Sequence, residues 1–294
     1  MKIEMKVASS TPLGLFAFGL FMCVAVSSCQ AETLKLLDSF EVRNKHKGYS
    51  EPSGLSPSSV EGLFWTVSDA DAKLHLLTSN GELKNAFHLP EALGADLEAV
   101  ASRPDGSVLL VQERDWAITV LKPTTPISLE RTLIRRMHGF ARYAHLFGAN
   151  PSNKGPEGIT VDPETGTVFL AIEGEPRVLM TLAPDLNEIV NVTVLSKDKG
   201  FASPKAKDRE LDISGLAWSP FSNTLWMLSD TGKCVFMFDP KTNKAERIDL
   251  KFRKSGEKTW VKNAEGIVVD EEAHRLFILT DDGKDARLFV FERL

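Results

Sequence analysis

The chain has 294 residues, a formal net charge of −5, and 26% charged against 43% hydrophobic residues. That length suits one large globular domain, and the acidic balance excludes the basic face that non-specific nucleic-acid binding requires. Two of the three cysteines precede residue 30, which leaves Cys234 alone in the folded part and excludes an internal disulfide there.

Lys2 and Lys6 precede an apolar run from Leu13 to Val26, broken by two glycines. A basic start followed by an apolar run too short for a bilayer is a secretory signal. Val26-Ser27-Ser28-Cys29 resembles a bacterial lipobox, whose cysteine becomes the lipidated first residue; the alternative is cleavage after Ala31. Residues 1–28 are read as a signal peptide with lipobox, 29–33 as a short tether and 34–294 as a single domain. Gln30 follows Cys29, so the aspartate of inner-membrane retention is absent. The expected location is the periplasmic side of a bacterial envelope, lipid-anchored, with the outer membrane favoured.

Leu34 to Arg43 reads as a strand without a neighbour in sequence. Beyond it, five segments repeat one pattern: Pro52-Ser53-Gly54-Leu55, Leu97-Glu98-Ala99-Val100, Pro156-Glu157-Gly158-Ile159, Ile213-Ser214-Gly215-Leu216 and Ala264-Glu265-Gly266-Ile267. Each leads through a turn, such as Asp162-Pro163-Glu164-Thr165-Gly166, into a second apolar run, such as Val168-Phe169-Leu170-Ala171. Short apolar runs bounded by Gly, Pro and Asp are hairpin strands. The repeats begin at 53, 98, 157, 214 and 265, a spacing that fits a four-stranded propeller blade. In the third unit the strands are expected at 157–161, 167–172, 177–183 and 188–195. The fifth shows only three, at 266–270, 276–281 and 287–293. The expected fold is therefore all-β: a five-bladed β-propeller of four-stranded antiparallel blades, with 34–43 supplying the missing outer strand and closing the ring. A six-bladed ring is the alternative, its extra blade hidden in 129–155. A monomer is expected.

A second marker ends the second strand of each unit: Asp69, Glu113, Glu173, Asp230 and Asp281. With the turn midway between markers, the pairs Ser53/Asp69, Glu98/Glu113, Glu157/Glu173, Ser214/Asp230 and Glu265/Asp281 meet at one end of their hairpins. The first strand of a blade is its innermost, so these carboxylates should circle one mouth of the channel. Like charges facing each other across a hairpin are unfavourable, and crowded carboxylates share protons or bind a cation. Oxygen ligands without His or Cys favour Ca²⁺. The metal ligands expected are Glu98, Glu113, Glu157, Glu173, Glu265, Asp281, Asp69 and Asp230. The plainer reading makes some of them staples that accept hydrogen bonds from neighbouring innermost-strand amides.

Long connections at about 139–155, 196–212 and 252–263 should open onto the same mouth. Two are basic, with Lys197, Lys199, Lys205, Lys207 and Arg209 in one and Arg253, Lys254, Lys258 and Lys262 in the other. They are either a solvated surface or an anion guide suited to phosphate. The sequence has no G-x-S-x-G elbow, H-E-x-x-H or P-loop. Ser214 shares its repeat position with Ser53, which favours structure over nucleophilicity. The six histidines share no repeat position, and Trp65, Trp218 and Trp226 read as fillers between blades.

Asp96-Leu97-Glu98, Gln112-Glu113-Arg114-Asp115-Trp116-Ala117-Ile118, Pro156-Glu157-Gly158, Asp212-Ile213-Ser214-Gly215 and Asn263-Ala264-Glu265-Gly266-Ile267 together resemble the SdiA-regulated (YjiK/CarP) family of bacterial envelope proteins, over residues 49 to 292. Ala99 departs from the pattern, where other repeats have glycine. The resemblance implies an envelope β-propeller, linked in part of the family to calcium homeostasis, with a phytase-like likeness; it supplies no catalytic residue. One expected function is non-catalytic Ca²⁺ binding that buffers, senses or presents a surface to an envelope protein. Another is Ca²⁺-dependent hydrolysis of a phosphorylated small molecule, with Glu157 or Glu265 as base, and a third is a lactonase-like hydrolase on the same metal. Nucleic acid is not expected as a partner, and the membrane only through the lipid anchor.

Overall fold

The computed structural model describes residues 34–42, 49–90, 93, 96–122, 128–147, 154–254 and 256–293, all within one compact unit spanning Glu32–Leu294. The expected signal peptide and tether, with Cys29, lie outside the described residues, as does the middle of the 139–155 connection.

Five four-stranded antiparallel sheets form the blades of a five-bladed β-propeller. Blade 1 holds β2–β5 (Pro52–Pro57, Leu63–Ser68, Asp71–Thr78, Leu83–His88) and blade 2 holds β6–β9 (Leu97–Ser102, Val108–Gln112, Ala117–Lys122, Ser128–Leu133). Blade 3 holds β10–β13 (Pro156–Val161, Val168–Ile172, Val178–Leu182, Ile189–Val194) and blade 4 holds β14–β17 (Gly215–Ser219, Thr224–Ser229, Cys234–Asp239, Lys244–Asp249). Blade 5 combines β20–β22 (Ala264–Asp270, Arg275–Thr280, Arg287–Arg293) with β1 (Leu34–Glu41), which pairs along β22 from Leu34↔Arg293 to Glu41↔Arg287. The expected N-terminal closure is present, and the innermost strands β2, β6, β10, β14 and β20 touch one another in ring order.

The burial pattern follows from this stacking. Second strands such as Val168–Ile172 are buried throughout, because a neighbouring blade covers each face. Outer strands such as Lys244–Asp249 are largely exposed. Five apolar clusters result, each bridging two neighbouring blades. Trp218 and Trp226 pack in two of them, as interface fillers. Inner strands approach so closely that a Cβ on Gly266 would lie 2.7 Å from Leu55 Cβ and 3.0 Å from the Gly54 carbonyl carbon.

The six-bladed alternative is not found, and one connection differs from the sequence reading. The stretch after Leu133 forms no sixth blade among the described residues: β9 completes blade 2, and short helical turns follow, including α1 (Phe140–Tyr143). The stretch read as a loop at 252–263 contains a separate two-stranded ribbon, β18 (Lys251–Lys254) and β19 (Glu257–Trp260). Its alternation of exposed cations with half-buried Phe252 and Thr259 is a strand period that the run of charges masks.

Candidate metal-binding mouth

In blades 2, 3 and 5 the innermost strand starts at the mouth with an irregularity, whereas β14 in blade 4 pairs in unbroken register. In blade 2 the ladder passes from Leu97↔Gln112 to Ala99↔Val111, in blade 3 from Pro156↔Ile172 to Gly158↔Ala171, and in blade 5 from Ala264↔Thr280 to Gly266↔Leu279. The residue skipped each time is Glu98, Glu157 or Glu265. A bulge leaves its extra residue out of the ladder and re-aims the side chain. The residue two positions earlier shapes the turn into the strand. Glu51, Asp96 and Asn263 have φ of 54°, 77° and 49°, a left-handed backbone that Asp and Asn tolerate best. The carbonyls of Glu51, Gly155 and Asn263 accept the N–H groups of Asp69, Glu173 and Asp281 at 3.4, 2.8 and 2.7 Å. These bonds draw the two markers of a blade together, as the spacing predicts.

The ring then divides into two kinds of carboxylate. Glu113 and Asp230 are staples between blades: Glu113 Oε1 accepts Gly155 N–H at 2.8 Å, and Asp230 Oδ1 accepts Ala264 N–H at 3.0 Å and the Lys233 ammonium at 2.7 Å. Glu173 lies 3.8 Å from the Lys154 ammonium. Asp281 accepts Gly283 N–H at 3.2 Å, while Asp69 stands exposed on the rim. Ser214 donates to the Ala264 carbonyl at 2.6 Å, the structural role expected of it. Glu98, Glu157 and Glu265 differ. Among the described residues none makes an ion pair or accepts a backbone or cationic donor, and the one hydrogen bond among them joins Glu157 to Glu173.

Electrostatics follow from that isolation. Burial, then the charges of Asp69, Glu113, Asp96 and Asp281, push Glu98 up to about 8. Burial and the neighbouring Glu173, Glu265 and Glu113 hold Glu157 well above the ordinary carboxylate range. Glu265 is raised likewise, by burial and by Asp212, Asp230, Asp281 and Glu98. Burial also raises Glu113 and Asp281, each opposed by its backbone hydrogen bond. Glu157 thus senses Glu265 across the opening, and Glu265 senses Glu98.

Two acids belong to this group that the repeat markers do not include. One oxygen from each of Asp96, Glu98 and Glu113 lies within 4.8 Å of the others. Ligands on opposite sides of one Ca²⁺, at about 2.4 Å each, have about that separation. Asp212 is buried beside Glu265, its carboxylate accepting Ser229 Oγ at 2.6 Å and Thr231 N–H at 3.1 Å. Both lie two residues before the first marker, where the repeats read Glu51, Asp96, Gly155, Asp212 and Asn263. That polar column was the available signal.

Among the described residues, no cation of the two basic connections pairs with a mouth acid. Lys207 and Arg209 face Glu210, Lys199 donates to the Val194 carbonyl, and Lys205 lies 4.1 Å from the centre of the Trp260 ring. The cations that pair with mouth acids are Lys154, Lys233 and Arg114, the last 3.1 Å from Asp96.

The sequence matches the SdiA-regulated family over residues 37–282. Among solved structures, glutaminyl cyclase from Myxococcus xanthus is similar, with a TM-score of 0.58 and 16% identity over 90% of this chain and 97% of that one. Virginiamycin B lyase from Staphylococcus aureus gives a TM-score of 0.48 and 11% identity over 89% of this chain and 99% of that one. The likeness to the cyclase is one of fold. Ordered motifs, five blades and the family match agree: this chain belongs to the SdiA-regulated family.

Proposed function

We propose that this propeller binds Ca²⁺ at its carboxylate mouth and serves the bacterial envelope in calcium homeostasis, sensing or partner binding. One observation carries the reading: three bulge glutamates turned onto one opening with no cationic or backbone donor among the described residues. Enclosed carboxylates without partners are costly, and a cation removes the cost. The donor set is oxygen only, which suits Ca²⁺ rather than zinc, and its spread over several blades suits a large flexible shell rather than the tight octahedron of Mg²⁺.

A ligand of the folded state alone stabilises it by about 2.7 kcal/mol at a hundredfold excess over its dissociation constant. The melting temperature is therefore expected to rise with Ca²⁺, to fall with chelator and to respond little to Mg²⁺. Glu157→Gln combined with Glu265→Gln should remove most of the Ca²⁺ response and raise the melting temperature in chelator, since repulsion is relieved. Melting indifferent to Ca²⁺, together with a double variant less stable than wild type in chelator, would show the glutamates to be structural.

A further inference from the structure

The ribbon β18–β19 stands outside the propeller's ladder. It packs against β1, the outermost strand of blade 5, and Phe252 lies 5.4 Å from Phe289 between ring centres. It therefore covers the outer part of blade 5 rather than the channel axis. It carries Arg253, Lys254 and Lys258 against Glu257 alone, beside Lys251, which pairs with Asp249 at 2.9 Å; Lys262 follows it, and Lys205 reaches it from the preceding connection by stacking on Trp260. In a chain of net charge −5, this is a concentrated cationic surface.

Arg253 pairs directly with Lys258 in the ladder, and Lys254 with Glu257. Like charges directly opposite are destabilising, so the Arg253–Lys258 pair works against the ribbon that holds it. Lys205, Arg253, Lys254, Lys258 and Lys262 make no ion pair with a described acid. A two-stranded ribbon is marginal by itself. Keeping unneutralised, mutually repelling cations on one is explicable if an external anion completes it.

We propose that this ribbon, with Lys205 and Lys262, docks onto the anionic phospholipid surface of a membrane. The cations are spread along strands of four residues rather than converging on a point, which suits an array of headgroup phosphates better than one small phosphoester. The ribbon's large apolar groups, Phe252 and Trp260, are half-buried against the protein, so no exposed anchor marks it for a protein partner. This contact is additional to any lipid anchor and independent of Ca²⁺ at the mouth.

The protein from Glu32 onward holds every described strand and can be tested without its leader. Co-sedimentation with vesicles of phosphatidylcholine and phosphatidylglycerol, in chelator, should show binding that weakens with salt and is absent with phosphatidylcholine alone. Arg253→Glu with Lys258→Glu, a pair on the ribbon face opposite Phe252, should weaken binding by about 25-fold or more, at about fivefold per cation. Arg253→Gln with Lys258→Gln should weaken it less. Lys241→Glu, in the turn after β16, and Glu157→Gln at the mouth should leave it unchanged. Melting curves establish that each variant is folded. No binding to anionic vesicles at low salt, equal binding by the charge-reversed variant, or inorganic phosphate displacing the protein better than chloride at matched ionic strength would each overturn the proposal.

Discussion

Glu98, Glu157 and Glu265 show how one skipped residue in a ladder changes a side chain's chemistry. Their neighbours Ala99, Gly158 and Gly266 sit in regular register with the core; the bulged residue turns instead to the channel and meets other acids. For Glu98 the consequence can be measured. In metal-free protein it is pushed up to about 8 from an ordinary 4.5. The folded state then holds the proton more tightly than the unfolded state. Its contribution to stability is complete below the ordinary value and is lost as pH rises through the folded one. Metal-free protein is expected to lose stability across that interval, and Glu98→Gln to flatten the slope. His75 acts in the opposite sense: burial lowers its pKa, so its contribution fades as pH falls below the ordinary 6.5. The difference between wild type and Glu98→Gln removes that background. Since protons and Ca²⁺ compete for the same oxygens, Ca²⁺ affinity should climb over the same pH interval. Identical pH slopes for both proteins would contradict the assignment.

Among the elements, β1 has a role out of proportion to its length. It gives blade 5 its fourth strand and covers the edge β22 would otherwise expose. Leu34 and Leu36 add to the cluster between blades 4 and 5, and Phe40 to that between blades 5 and 1. Arg287 donates to Ser39 Oγ and to the Ser39 carbonyl, both at 2.7 Å, tying the two chain ends together. Three partly buried apolar side chains are worth on the order of several kcal/mol. That is a large share of the roughly 5–15 kcal/mol by which a domain is stable. A chain starting at Val42 is expected to unfold at much lower urea than one starting at Glu32, or to aggregate through the bare edge. Coincident unfolding curves would show the closure to be dispensable. The exposed Lys35–Glu292 pair, at 2.9 Å, adds little.

At the scale of the molecule, the ring joins five equivalent seams, and the mouth exists only because all five blades bring their first strands together. The chain-closing seam lies between blades 5 and 1, where Gly266 meets Gly54 and Leu55. No helix among the described residues is long and apolar enough to cross a membrane. Retention in the envelope is proposed, from the Val26-Ser27-Ser28-Cys29 run alone, to depend on Cys29. Fractionation should place wild type with membranes and Cys29→Ser in the soluble periplasmic fraction. Wild type found soluble would replace the lipobox with cleavage after Ala31.

Blade number, strand order and closure were legible in the sequence because a blade is local. Its four strands follow one another through short turns, and its markers recur at a fixed distance on either side of one hairpin. The same locality brought the marker pairs to one end. What each carboxylate does there was decided by contacts between blades. Glu113 became a staple because Gly155, 42 residues on, presents its N–H, and Asp230 because Ala264, 34 residues on, does the same. Glu98, Glu157 and Glu265 were left without cationic or backbone donors among the described residues because a bulge, which no residue type announces, turned them inward. Asp96 and Asp212 joined them from a repeat position whose side chains differ from blade to blade. The ribbon at Lys251–Trp260 was hidden for a related reason: its strand period is written in cations, and only packing of Phe252 on blade 5 gives that alternation a face to bury. Local spacing fixes which residues can meet at the mouth; hydrogen-bond supply from the neighbouring blade, distant in sequence, fixes which of them remain free to bind.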